Sequence, residues 1–162
     1  MRAVVIAGPK KSGKTALLAV VAEVLERRGK RVAVVKYSSH ALEKGNTDAF
    51  WLMRPGRTVV NISPEETAVL LSEQLPFDAV ARRVEADVLL LEGGDAPLAV
   101  PRIVCLSEDV DDAQAFMREC GDIAIIATYG AAVPGSAPHF PEIDPRSAEN
   151  MADIVLEKGA VL

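Results

Sequence analysis

The sequence predicts an α/β protein of the three-layer kind, with a mostly parallel central sheet flanked by helices. Two observations carry that expectation. The first is an apolar run, Ala3-Val4-Val5-Ile6-Ala7, followed at once by Gly8-Pro9-Lys10-Lys11-Ser12-Gly13-Lys14-Thr15 and then by a helix-period stretch over residues 16–28. The second is the return: Gly29 ends that stretch, and Val32-Ala33-Val34-Val35 begins another strand. Strand, helix and strand joined this tightly imply a right-handed parallel crossover. In such sheets ligands bind at the C-terminal ends of the strands, where the glycine-bearing loop falls.

That loop fits G-x-x-x-x-G-K-Ser/Thr, the P-loop pattern of nucleoside triphosphatases, in the strand–loop–helix context the pattern needs. Gly8 and Gly13 lack a Cβ, so the backbone can turn its N–H groups inward. Those groups and the N-terminus of the following helix form an anion cradle. Lys14 adds a point charge for the β- and γ-phosphates, and the Thr15 hydroxyl can ligand Mg²⁺. The expected nucleotide-binding set in this stretch is Gly8, Lys10, Lys11, Ser12, Gly13, Lys14, Thr15 and Ala16. Of Lys10 and Lys11, at least one is expected to be a solvated loop charge.

Composition bounds the remaining classes. A chain of 162 residues suits one domain with a sizeable core, taken here as residues 1–162. A net charge of −5 argues against general nucleic-acid binding, which needs a basic face. No apolar run reaches the roughly 18 residues of a membrane span. The first apolar run is interrupted by Pro9, Lys10 and Lys11, unlike a secretory signal, so a cytoplasmic location is expected. Cys105 and Cys120 lack metal-ligand spacing and read as reduced, buried residues.

The elements follow in order. Residues 2–7 read as a buried parallel strand. The helix over 14–28 puts Leu17, Leu18, Val21, Val24 and Leu25 on one apolar side. Residues 31–36 read as a second buried strand. Residues 37–47 are polar and without period. Residues 48–54 read as a short helix carrying Phe50 and Trp51, expected in core or dimer contacts, and Pro55-Gly56 stops it. Residues 58–62 read as a third strand. Ser63-Pro64-Glu65-Glu66 reads as a helix start, with Ser63 as N-cap and Pro64 at N1, opening a helix to about residue 73. Another helix is expected over 77–84. Val88-Leu89-Leu90-Leu91 is a strand ending in Glu92-Gly93-Gly94; an acid there is the Walker B arrangement, holding Mg²⁺ or orienting the attacking water. Strands are expected over 102–106, 122–127 and 140–143. Helices are expected over 109–119, with Ala113, Phe116 and Met117 inward, and from Asp144-Pro145 to about Lys158, with Gly159 ending it.

Taken together, these blocks resemble the molybdopterin-guanine dinucleotide biosynthesis protein B family, a branch of the P-loop GTPase-related proteins. The resemblance rests on residues 8–15, on Val34-Val35-Lys36 with His40 and Asp48, on Asp87-Val88-Leu89-Leu90-Leu91-Glu92-Gly93, and on Pro101-Arg102-Ile103, where the family usually has Pro-Lys-Ile. It implies a dimeric protein that binds GTP with Mg²⁺, hydrolyses it slowly, and partners the guanylyltransferase that attaches GMP to molybdopterin. It further implies that Glu92 and Asp48 serve the metal side and the chemistry, with Thr15 as a metal ligand, and that Lys36, His40 and Arg102 line the site. The chain departs from the family pattern at Arg54-Pro55-Gly56-Arg57, at Gly94-Asp95, and at Thr128-Tyr129, where the family often has Thr-Asp, as a divergent member would. A carboxylate there would read guanine N1–H and N2–H₂. Two other functions share the scaffold. One is a small-molecule kinase using ATP, with Lys36, His40 and Arg102 holding an acceptor and Asp48 or Glu92 as base, although no clear lid is legible. The other is a nucleotide-binding regulator without turnover.

Overall fold

The computed structural model describes residues 1–38, 48–93, 96, 99–106, 110–120, 123–130, 138–140 and 144–162. They fall into two compact units: Met1–Tyr37 with Arg83–Leu162, and Ser38–Arg82. The first unit is built on a sheet of β1 (Arg2–Ala7), β2 (Val32–Lys36), β5 (Val88–Glu92), β6 (Arg102–Leu106), β7 (Ile125–Gly130) and β8 (His139–Phe140), in the order β2-β5-β1-β6-β7-β8. All neighbours along that order are parallel. Its helices are α1 (Lys14–Arg27), α4 (Val110–Cys120) and α5 (Pro145–Lys158). The second unit holds α2 (Asp48–Trp51), the strands β3 (Thr58–Ile62) and β4 (Thr67–Leu71), and α3 (Phe77–Ala81). The observed fold is thus α/β, with a mostly parallel central sheet flanked by helices.

The apolar runs explain the layering. β5 and β6 are buried at every residue, as strands covered on both faces must be. One face, Val4, Ile6, Val88, Leu90, Ile103 and Cys105, packs against α1 and α5. The α1 stripe Leu17, Leu18, Val21, Val24 and Leu25 is buried as its spacing predicts. On the opposite face Val104 and Leu106 pack with Cys120, Phe116 and Met117 of α4. Both cysteines are buried free thiols. Asp144 caps α5 by accepting from the Ser147 N–H at 2.6 Å, and Arg28 ties α1 to α5 through Glu149 and, at 2.7 Å, Asp153.

Several expectations are corrected. The predicted helix over 63–73 is a hairpin arm. Ser63 Oγ does accept from the N–H groups of Glu65 and Glu66, at 3.3 and 3.0 Å, but these bonds close a four-residue turn. β4 then pairs antiparallel with β3, from Thr58 opposite Leu71 to Ile62 opposite Thr67. A side-chain cap and a turn satisfy the same backbone donors, so the local signal could not separate them. β3 consequently lies in a two-stranded sheet of its own. β2 is an edge strand rather than a buried one, with Val34 exposed. The strand predicted over 122–127 runs as Ile125–Gly130, because the Ile123 N–H is used on Cys120 at the end of α4. α3 stops at Ala81, and the 140–143 strand is observed as β8, with residues 141–143 outside the described set. The chain also ends in an unpredicted strand, β9 (Ala160–Val161), antiparallel to β1 at Arg2 and Ala3.

Candidate functional site

The loop between β1 and α1 begins with a close approach. Gly8 has φ 149°, and a Cβ added there would lie 2.2 Å from the Cys105 carbonyl oxygen and 2.7 Å from Ser12 Oγ. Only glycine lets β1 leave the sheet this close to the end of β6. Lys11 (φ 67°) and Gly13 (φ 84°) are left-handed, which turns the loop back on itself. Gly13 is the N-cap residue of α1, so no side chain caps the helix, and no acid lies in its first turn. The contrast with α5, capped by Asp144, is informative: the first N–H groups of α1 are left to an external anion. Ser12 Oγ is buried without a partner among the described residues. Lys14 Nζ donates to the Pro9 carbonyl at 2.6 Å, which folds it over the loop crest.

Glu92 lies opposite. It ends β5 level with Ile6 of β1 and Lys36 of β2. Its Oε1 accepts from Thr15 Oγ1 at 2.9 Å and stands 3.6 Å from Lys36 Nζ. The carboxylate is buried. Its backbone carbonyl accepts from the Tyr37 N–H at 2.8 Å, and Gly93 (φ 129°) would place a Cβ 2.7 Å from Tyr37, so the ends of β2 and β5 are clamped together. The motif threonine and the acid that ends β5, 77 residues apart in sequence, are therefore in direct contact.

These residues fit the polyphosphate of a nucleotide with Mg²⁺. The backbone cradle and uncapped helix suit phosphate oxygens, Lys14 suits their charge, and the Thr15 hydroxyl with the Glu92 carboxylate offers oxygen donors of the kind a hard cation takes. Cys105 runs beneath the loop, and burial pushes its thiol up to about 12, with Glu92 adding and Lys14 opposing. It has no thiolate character for nucleophilic use.

The other predicted residues divide. Lys10 and Lys11 are exposed on the loop, and Ala16 is exposed in the first turn of α1. Arg102 is not brought to Glu92. It shares its strand face with Val104 and Leu106, the α4 side, whereas Ile103 and Cys105 share the face of α1. There it is buried, donating to the Ala96 carbonyl at 3.3 Å. His40 lies outside the described residues; the backbone of Asp48 opens α2 in the second unit, and its side chain is not among those described. Trp51 is 70% exposed, so it does not pack the core of its own chain. Two features were missed in the sequence. One is the role of Cys105 as the carbonyl wall behind Gly8. The other is Tyr129, whose Cε1 lies 3.6 Å from where a Gly13 Cβ would be. The first had a signal in Gly8 itself; the second needed the β6–β7 register.

A parallel sheet with this loop, this uncapped helix and an acid bonded to the loop's hydroxyl residue defines a P-loop nucleotide-binding protein of the α/β class. A family model described as "Molybdopterin guanine dinucleotide synthesis protein B" (MobB) matches residues 3–129, and the chain belongs to that family. Among solved structures, one of Bacillus subtilis MobB superposes with a TM-score of 0.73 at 18% identity, covering 96% of this chain and 98% of that one. A structure of molybdopterin-guanine biosynthesis protein B gives 0.67 at 23% identity, covering 95% and 96%. A MobB homolog from Bacillus stearothermophilus gives 0.60 at 22% identity, covering 86% and 87%. At these identities the structures establish the fold. No curated protein sequence matches at a significant level.

Proposed function

We propose that this chain binds GTP with Mg²⁺, hydrolyses it slowly, and serves as an adaptor to the guanylyltransferase that attaches GMP to molybdopterin. Membership of the MobB family supports a role in molybdenum cofactor biosynthesis. The observation that carries the nucleotide reading is the Thr15–Glu92 hydrogen bond beside the uncapped start of α1. Lys14 exchanges the Pro9 carbonyl for phosphate oxygens. Thr15 and Glu92 hold the metal side, with Asp48 as a further candidate, and Glu92 orients the attacking water. When bound, Mg²⁺ neutralises charge on the β- and γ-phosphate oxygens. ATP would fit the phosphate cradle equally, since nothing in that cradle touches a base.

The chain is further proposed to be a cytoplasmic homodimer. Among the described residues no helix is long and apolar enough to cross a membrane. One face of the β3–β4 hairpin supports a second copy: Val60, Val69 and Ile62 are 53%, 60% and 77% exposed, and Val60 and Val69 are direct cross-strand partners. Contiguous apolar exposure of this kind marks an interaction surface.

Reconstituted GMP transfer tests the adaptor role. Adding this chain with GTP to the guanylyltransferase and molybdopterin is expected to raise the yield of dinucleotide. No effect there, together with acceptor-dependent ADP release in a screen with ATP, would replace the adaptor by the kinase.

A further inference from the structure

The least explained charge at the site is Lys36. It ends the edge strand β2 in register with Glu92, so both side chains rise from the same sheet face at its C-terminal edge. Its ammonium stands 3.6 Å from Glu92 Oε1, the oxygen that also accepts from Thr15 Oγ1. The two partners differ in freedom: the Lys36 side chain is 58% exposed and that of Glu92 10%. The acid is fixed by the clamp between Glu92 and Tyr37, whereas the lysine reaches in from solvent. The strand order β2-β5-β1 puts Lys36 across Glu92 from the loop, so it and Lys14 approach from opposite sides.

We infer that Lys36 is a discriminator of the terminal phosphate, held on Glu92 until a cation beside Thr15 takes its place. The reasoning rests on the nucleotide reading above. A buried carboxylate needs a compensating charge, and Lys36 supplies it. A divalent cation on the Thr15 side competes for the same oxygen with a higher charge. The displaced ammonium, on a flexible four-carbon stem, then faces whatever lies between it and Lys14. On a P-loop that position is the end of the polyphosphate farthest from the base, because Thr15 and Glu92 mark the metal end. A diphosphate offers Lys36 nothing there; a triphosphate offers a doubly charged group. Lys36 thus makes the chain read the phosphate count, which the loop alone does not, since its backbone N–H groups hold the inner phosphates in either case.

Calorimetric titration of GDP and of the β,γ-imido analogue of GTP, each with MgCl₂, tests this on wild-type protein, Lys36→Met and Lys36→Arg. Lys36→Met is expected to weaken the triphosphate analogue about tenfold and to leave GDP within about twofold. It is also expected to lower the Mg²⁺ concentration needed for half-maximal GDP binding, because Glu92 has lost a competitor. Lys36→Arg should restore most of the triphosphate preference. An unchanged triphosphate-to-diphosphate ratio in Lys36→Met, or equal losses for both nucleotides, would overturn the inference while leaving the nucleotide site intact. Failure of the wild-type protein to bind either nucleotide would instead remove the nucleotide reading, and the inference with it.

Discussion

Replacing Gly8 by alanine should damage both the fold and the site, and the size of the effect follows from the geometry. The new methyl would lie 2.2 Å from the Cys105 carbonyl oxygen, over 1 Å inside ordinary contact. That oxygen belongs to β6, which is held by β1 on one side and β7 on the other, so the sheet cannot yield. Ser12 Oγ, at 2.7 Å, could rotate away, but the φ of 149° could not be kept by an alanine. Overpacking of this kind costs about 1–3 kcal/mol and a forced backbone conformation a further ~1–3 kcal/mol. At roughly 2–4 °C per kcal/mol for a chain of this size, Tm should fall by about 10 °C. Gly13→Ala is the internal control. Its φ of 84° is also left-handed, but the added methyl meets only Tyr129 Cε1 at 3.6 Å, an ordinary contact. It should cost about 1 kcal/mol, a few degrees. Differential scanning calorimetry of both variants without nucleotide isolates stability from binding. If Gly8→Ala melted within two or three degrees of wild type, or if Gly13→Ala were the worse of the two, the close approach at Gly8 would not be a constraint on the fold.

Three further outcomes follow. Glu92→Gln should lose GTP turnover by about 100-fold or more with GTP and MgCl₂ both saturating, measured by single-turnover phosphate release; turnover within a few-fold of wild type would remove Glu92 from the chemistry. Asp144 should make α5 acid-sensitive: the Ser147 N–H holds its carboxyl below the ordinary 3.8, so its contribution is present above about pH 4 and lost as pH falls through the lower folded value. Asp144→Asn keeps a cap acceptor without the charge, and the gap in stability between it and wild type should narrow as pH is lowered from 5 to 2; a constant gap would refute the charge effect. Val69→Lys, placed on the exposed hairpin face, should leave Tm nearly unchanged but shift sedimentation toward monomer, and an unaltered dimer would move the interface elsewhere.

Where local chemistry decided a structure, the sequence was readable. The loop glycines, the Leu17–Leu25 stripe, the Asp144 cap and the buried strands each state their geometry in a few neighbouring residues. Thr15 and Glu92 were each expected on the metal side from the Walker A and Walker B patterns, and the hydrogen bond that joins them is a finding of the structure. Non-local pairing decided the rest. Ser63 makes the hydrogen bonds expected of a cap, yet β3 needed a partner and took residues 67–71 as a strand. Val34 reads as buried because the run around it is apolar, but no composition shows that β2 is an edge. Arg102 followed a motif whose position in β6 turns it to the α4 face, which only the alternation along the strand could show.

The most direct test is calorimetric binding of GTP and ATP with MgCl₂ to the wild-type chain and to Lys14→Ala, which removes the ammonium that donates to the Pro9 carbonyl on the loop. Saturating nucleotide at about 100 times Kd should stabilise the wild-type protein by about 2.7 kcal/mol. Lys14→Ala should melt like wild type without nucleotide and show little or none of that gain. Equal binding by the two proteins, or no binding by the wild type, would contradict a phosphate site built on Gly8, Gly13, Lys14 and Thr15.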